Sequence, residues 1–584
     1  MSCVDIKFEN IVYPKLNRGT ANQEILKNLS GCFYSGQLTG ILGGSGAGKT
    51  TLINLLSGHI TTNIGGKVSI NDAICSGADL KNSSIYLMDD DLLQTSLTVK
   101  ESLLLVAELK LDKRLSASNK IKTCLSIVEK LNLTSSLNTM TENLSGGEKR
   151  RLSIALELIS DPPIIFMDEP TSGLDEVSAK NTIDLLRSLS RDGKTIICTI
   201  HQPSNIIFNM LEHVYFINDG RCIYDGTVNG LVPFLDNILF PCPKNYNPAD
   251  YILEMSQNNE EISLRCNSVF TPYRFDREKC GNKEIVSYGN LKSERRRIGF
   301  LKQTGVLLKR HFIQTKRRKL AMGINVAHHI LCGLMTGFLY VGTGNDAAKT
   351  ANIYKLSLGA VAYISFAYAI IPILVYPFQI KIIKREISND WYGLKAYFLT
   401  QSLAPLPYMI PLCFLFTISC FGIVDSSLSL ERYSRLSVIL IGVAIVSHFY
   451  GHTIGAIFNA KNACVIGSMV ATIAMNIGSF HHYRISFTTW VIRQTTFTRY
   501  GVTGCLLTFY QNRKLNCSEI VCRHSVEKLI YDDFGVGIPS YLVQLSGLVV
   551  NVICYAICFY VILRIKFYSN LVEVWRNFKA KLSK

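Results

Sequence analysis

Leu38-Thr39-Gly40-Ile41-Leu42-Gly43-Gly44-Ser45-Gly46-Ala47-Gly48-Lys49-Thr50-Thr51 is the stretch on which the fold turns. Its first five residues read as a short buried strand. From Gly43 to Thr50 it satisfies G-x-x-x-x-G-K-[ST] in full, and Thr51–Leu56 continues as a helix. The chemistry of a triphosphate asks for this order. Glycines let backbone N–H groups wrap the phosphates, and the helix presents its positive N-terminal end to them. Lys49 is placed to reach the β- and γ-phosphates, and the Thr50 hydroxyl to ligate Mg²⁺. An α/β domain that binds ATP and Mg²⁺ is therefore expected at the N-terminal end.

A second apolar strand, Pro163-Ile164-Ile165-Phe166-Met167, runs into Asp168-Glu169. An acidic pair at the end of a buried strand suits Asp168 as a metal-holding carboxylate and Glu169 as the general base for water. Between the two strands lies Leu144-Ser145-Gly146-Gly147-Glu148, followed by Lys149-Arg150-Arg151 and a helical run. This LSGGE segment resembles the signature sequence of the ABC transporter ATPases. The resemblance implies that Ser145 and the glycines bind the γ-phosphate of an ATP held by a partner domain, a helix N-terminus supplied in trans. Ser172-Gly173-Leu174-Asp175 resembles the D-loop of that family, and His201 before Gln202-Pro203 its switch histidine.

One element departs from the family pattern. The glutamine that usually precedes an acidic pair and an L-T-V stretch is missing from Tyr86-Leu87-Met88-Asp89-Asp90-Asp91, upstream of Leu97-Thr98-Val99. One register puts Asp89 in its place, an oxygen ligand for a hard cation; a register shifted by one residue puts Met88 there. Tyr13, upstream of the phosphate loop, lies in the region where the family stacks the adenine base.

The remainder of the 584-residue chain has a different character. Its length calls for at least two folded units. Six apolar stretches of near membrane-crossing length follow residue 320: Ile324–Val341, Leu356–Tyr376, Leu403–Val424, Leu436–Phe458, Ala463–Phe480 and Tyr541–Leu563. The net charge of +17 does not mark a nucleic-acid binder. Its densest clusters, at Lys309–Arg310, Lys316–Lys319 and Lys381–Arg385, flank apolar spans, as the positive-inside rule requires. On that rule both termini face the cytosol. Met1–Glu9 has no cleavable-signal pattern, and the 18 cysteines show no zinc spacing.

Asn247-Pro248-Ala249-Asp250-Tyr251 resembles the hallmark of the ABCG, or White-type, subfamily. With the ATPase first and one membrane bundle second, the chain is identified as resembling an ABCG half-transporter. The resemblance implies residues 1–255 as nucleotide-binding domain, 256–299 as linker, 300–320 as connecting helix, 321–570 as a six-helix all-α membrane domain of ABC-2 type and 571–584 as a cytosolic tail. It implies a coupling loop at 381–398, and partly embedded helices within Trp490–Tyr510. It also implies dimerisation with a second half-transporter, the same chain or another, and export of a lipid, sterol, pigment or xenobiotic through lipid. Which membrane houses it stays open.

In the long outer segment, Asn516-Cys517-Ser518 matches an N-glycosylation acceptor. Cys517 and Cys522 there are bridged to each other, bridged to a second protomer, or free. Two competing classes have sequence discriminants. A soluble ABC ATPase would lack the spans. A catalytically silent subunit would fail at Lys49, Asp168, Glu169 or His201, and all four are present. Asp89→Gln is expected to change the ATPase rate or its stimulation by substrate; unchanged kinetics in lipid particles would remove the assignment of Asp89.

Overall fold

The computed structural model describes residues 4–14, 24–88, 93–258, 298–344, 346, 349–425, 428–479, 494–510 and 540–567. Asp89, Asn516, Cys517 and Cys522 lie outside the described residues, as does most of the expected linker. The chain forms two compact units. One comprises Met1–Lys302 with the pentapeptide Ser388–Tyr392; the other comprises Gln303–Ile387 and Gly393–Lys584.

The first unit opens with strands β1 (Ile6–Pro14), β2 (Glu24–Phe33) and β3 (Leu38–Gly43), then helix α1 (Lys49–Leu56). Strands β4 (Gly65–Ile70) and β5 (Ala73–Ile74), helix α2 (Gly77–Ser83) and strand β6 (Ser84–Leu87) follow. Helices α3 (Val99–Lys110), α4 (Ala117–Lys130) and α5 (Gly146–Leu158) lead into strand β7 (Ile164–Met167). Then come α6 (Glu176–Arg191), β8 (Thr195–Ile200), α7 (Asn205–Met210), β9 (His213–Asn218), β10 (Arg221–Thr227), α8 (Leu231–Asn237) and α9 (Pro248–Asn258). A six-stranded sheet has the order β10-β9-β3-β8-β7-β6. All its neighbours pair parallel except the β9–β10 hairpin.

The strands β3, β6, β7 and β8 are buried along their whole length. Two covered faces explain why they read as continuous apolar runs rather than alternating ones. The β9–β10 turn, Asp219-Gly220, has positive φ at both residues, the backbone a two-residue hairpin turn needs. The smaller sheet β2-β1-β4-β5 is antiparallel throughout, and its strand β1 alternates buried Ile6 and Phe8 with exposed Lys7 and Glu9. That alternation marks a sheet covered on one face.

The second unit is helical: α10 (Phe300–Arg317), α11 (Lys319–Leu339), α12 (Thr350–Ser388), α13 (Leu394–Leu403), α14 (Leu406–Val424), α15 (Leu430–Ile457), α16 (Ala460–Ser479), α17 (Phe497–Tyr510) and α18 (Tyr541–Phe567). Among the described residues, six segments are long and apolar enough to cross a membrane. Helix α15 is the most enclosed of them, with 72% of its most apolar stretch buried, against 11% for α16, which presents Val465, Met469 and Ile473 outward. Outward apolar side chains on spanning helices belong against lipid or another apolar surface. Gly451 and Gly455 bring α15 against α12: a methyl at these positions would lie 2.5 Å from the Ala369 carbonyl and 2.8 Å from that of Pro372. Small residues four apart permit that close backbone approach.

Segment 381–398 departs from its expected loop character. Helix α12 runs 39 residues, roughly 58 Å at helical rise, and continues through Lys381–Arg385 to Ser388; helix resumes at Leu394. The reason lies in Glu386, whose fully buried carboxylate accepts two hydrogen bonds from Arg310 Nη1 at 3.0 Å. This pairing fixes the last turns of α12 against α10. Glu386→Ala leaves a buried guanidinium without this carboxylate, and a loss of about 3–5 kcal/mol is expected. A lowered thermal midpoint in detergent would measure it.

Candidate nucleotide site

The predicted phosphate loop lines a cavity of about 490 Å³. Its lining comprises Ser45 through Thr51, Glu24 and Ile25 of β2, the Asp219-Gly220 turn, Glu169 and His201. Gly48 caps α1 at φ +107°, a backbone region closed to most side chains, and a methyl there would lie 2.8 Å from Leu26. The N-terminal turn of α1 therefore opens into the cavity with its N–H groups unused by a side-chain cap.

Lys49 Nζ donates to the carbonyls of Gly43 at 2.7 Å and Gly44 at 2.9 Å. Burial holds its pKa below the ordinary lysine range, against the opposing pull of Glu169 and Asp168. A phosphate beside it would favour the charged form further.

Asp168, nearly buried, sits where β7 ends between β8 and β6. Three hydroxyls hold its carboxylate: Thr199 Oγ1 donates to Oδ1 at 2.5 Å, Thr50 Oγ1 to Oδ1 at 3.3 Å, and Tyr86 OH to Oδ2 at 3.2 Å. Hydroxyl and carboxylate oxygens converging here are the donors a small hard cation takes. The next residue, Glu169, has φ +46°, left-handed for a non-glycine. Such a conformation costs about 1–3 kcal/mol and persists where neighbours over-determine it. They do so here. Its amide donates to Thr199 Oγ1 at 2.9 Å, and its carbonyl accepts from Arg150 Nη2 at 3.1 Å.

Arg150, 2% exposed, also donates to the carbonyls of Asp168 at 3.1 Å and Met88 at 3.2 Å. One guanidinium from α5 thus ties the ends of β6 and β7 together, a task its planar fork of donors suits. The loop carrying His201 is anchored from further along the chain. Asn247 Nδ2 donates to the Pro203 carbonyl at 2.9 Å, while Asn247 Oδ1 accepts from Ala249 N at 3.1 Å and caps α9. Pro248 at the first helical turn suits this start.

The signature residues Leu144–Glu148 do not line this cavity. Ser145 caps α5 in a reciprocal box with Glu148: Glu148 N donates to Ser145 Oγ at 3.2 Å, and Ser145 N to Glu148 Oε2 at 2.9 Å. Hydrogen bonds from Ser136 and Ser145 keep the Glu148 carboxyl below its ordinary pKa. The exposed Ser145 and Gly146 lie beside the predicted D-loop. A methyl on Gly146 would touch Leu174 at 3.4 Å, and one on Gly147 would lie 3.0 Å from Ser178 Oγ. Asp175 caps α6 by accepting from Ser178 N at 3.0 Å, with Ser172 and Gly173 exposed. Tyr13 packs partly buried against the domain core and is not among the cavity's lining residues.

Tyr86, Thr199 and Arg150 escape a motif reading. Their roles follow from strand order, which sets β6 and β8 on either side of β7, and no local pattern marks them. Thr199→Val keeps the shape and removes the hydroxyl that serves both Asp168 and Glu169. ATP turnover is expected to fall about tenfold or more, on the scale of one charge-assisted hydrogen bond, with nucleotide binding retained; steady-state ATPase and equilibrium binding measure the two.

Both parts of the chain match known transporter families. Residues 26–172 match the ABC transporter family, and residues 302–510 match the ABC-2 type transporter family. Protein white of Ceratitis capitata is 27% identical, over 78% of this chain and 71% of its own length. Protein white of Drosophila melanogaster is 24% identical, over 93% and 83%. ABC transporter G family member 21 of Arabidopsis thaliana is 27% identical, over 82% and 76%.

Proposed function

We propose that the chain, which resembles the ABC transporters of the G, or White, type, is one half of an exporter whose two subunits share their ATP sites. ATP hydrolysis coupled to transport across a membrane is the activity of this family. One observation carries the dimer. The exposed start of α5, with Ser145 and Gly146, and the adjacent D-loop stand apart from the cavity formed by the phosphate loop of their own chain. A second half-transporter, a copy of this chain or a related one, would bring its own Ser145 helix start to that cavity. The present Ser145 would serve the neighbour's ATP in return, an isologous exchange.

Within one site, the loop N–H groups and Lys49 bind the phosphates, and Thr50 with Asp168 would hold Mg²⁺. The cation, when bound, neutralises phosphate charge. Glu169 orients the attacking water and takes its proton, and its fixed backbone aims the carboxylate into the cavity. His201, exposed and lining the cavity, would contact the terminal phosphate. ATP binding closes the dimer, and hydrolysis opens it, so two states of the transport path alternate by differential affinity. The cargo is a hydrophobic or amphipathic molecule of lipid, sterol, pigment or xenobiotic class, in keeping with the apolar outward faces of α16 and α18. Basic residues beside α10, the end of α12 and the end of α18 support cytosolic termini.

The test is ATPase activity in lipid particles across a panel of lipids, sterols and drugs, with Glu169→Gln as control. The variant is expected to retain ATP while turnover falls about 10²–10⁴-fold. Wild-type hydrolysis no faster than that of Glu169→Gln would instead identify a catalytically silent subunit.

A further inference from the structure

We infer that Tyr86 is a positioning residue for the metal-facing carboxylate of Asp168, and that Asn389 sets Tyr86 through the open edge of strand β6. The inference rests on the proposed reading of Asp168 as a metal-holding residue. Strand β6 is the last of its sheet. An edge strand offers backbone N–H and C=O groups with no strand to receive them. At Tyr86 both are taken by one carboxamide. Tyr86 N donates to Asn389 Oδ1 at 3.4 Å, and Asn389 Nδ2 donates to the Tyr86 carbonyl at 3.0 Å. Side-chain amides present a donor and an acceptor side by side, so Asn389 stands in for one residue of a further strand.

The other end of Tyr86 reaches the site. Its ring is buried, 4% exposed, and its hydroxyl donates to Asp168 Oδ2 at 3.2 Å, on the oxygen that neither Thr50 nor Thr199 occupies. A stiff ring with a polar tip fixes the distance between the sheet edge and the carboxylate. The pentapeptide is itself firmly seated. Trp391 Nε1 donates to Glu157 Oε1 at 3.0 Å, and Glu157 pairs with Lys110 at 2.5 Å in a buried site. Lys110 Nζ lies 5.3 Å from the Trp391 ring centre. Residues Ser388–Tyr392 belong to the first unit, whereas the chain before and after them belongs to the second. Displacement of this pentapeptide would therefore reach Asp168 through two sets of hydrogen bonds and one side chain. The readout is how tightly the site takes its cation.

The experiment uses the full chain in lipid particles. Two quantities are measured: the Mg²⁺ concentration for half-maximal ATPase, and binding of a fluorescent ATP analogue with Mg²⁺ and with chelator. Tyr86→Phe, which removes only the hydroxyl, is expected to raise the half-maximal Mg²⁺ concentration about tenfold, the scale of one hydrogen bond to a charge. Chelator-state binding of the analogue should stay at the wild-type level, which a general loss of structure would not allow. Asn389→Asp, which keeps the shape but has no donor for the Tyr86 carbonyl, should shift the Mg²⁺ dependence in the same direction. The double variant should fall short of the summed effects, as coupled residues do. Wild-type Mg²⁺ dependence in Tyr86→Phe, beside a shifted Asp168→Asn, would overturn the positioning role. An additive double variant would overturn the link through Asn389. An unshifted Asp168→Asn would remove the metal-holding reading and this inference with it.

Discussion

The Asp168 carboxylate, gripped by three hydroxyls from three different elements, is the interaction on which the nucleotide half depends. Thr50 comes from the helix after the phosphate loop, Thr199 from the end of β8 and Tyr86 from β6. A nearly buried carboxylate is costly unless its lone pairs are met, and here they are met by groups that each belong to another functional segment. The position of the acid therefore registers the phosphate loop, the strand leading to His201 and the outer edge of the sheet at once. Arg150 acts on the backbone at the same point. By holding the carbonyls of Met88, Asp168 and Glu169, it lets Glu169 keep a left-handed conformation beside a carboxylate whose orientation is already set.

In the helical unit the corresponding constraint is close approach. The glycines of α15 admit the backbone of α12, and the buried Arg310–Glu386 pair holds the end of that helix. The bundle has an asymmetric burial pattern. One helix is enclosed by its neighbours, and others leave broad apolar faces outward. A soluble fold would not leave such faces in water; for a membrane protein they are the surfaces that solvate it in lipid.

Much of this was legible in the chain. The strand–loop–helix of Leu38–Leu56 and the strand ending at Asp168-Glu169 announce themselves because local chemistry demands contiguous residues: a phosphate loop must be continuous backbone. Spanning segments are legible for a comparable reason, since about twenty apolar residues in a row are required to cross a bilayer. Less was legible at 381–388, which lies in the segment that the family resemblance marks as a coupling loop. Those residues are helical instead, because Glu386 finds Arg310, 76 residues earlier in the chain, and no window of sequence contains both.

The sequence by itself determined the two kinds of unit, the six apolar spans and the phosphate-loop residues that line the cavity, because each of those is written in short-range spacing. Tertiary structure alone decided what surrounds them. It set β6 and β8 beside β7, so that Tyr86 and Thr199 meet Asp168, and it brought Asn389 to the free edge of β6. It also separated Ser145 from the cavity of its own chain. Hydrogen bonds of this kind join residues tens to hundreds of positions apart, and their pairing follows from strand order and packing, which local pattern does not encode.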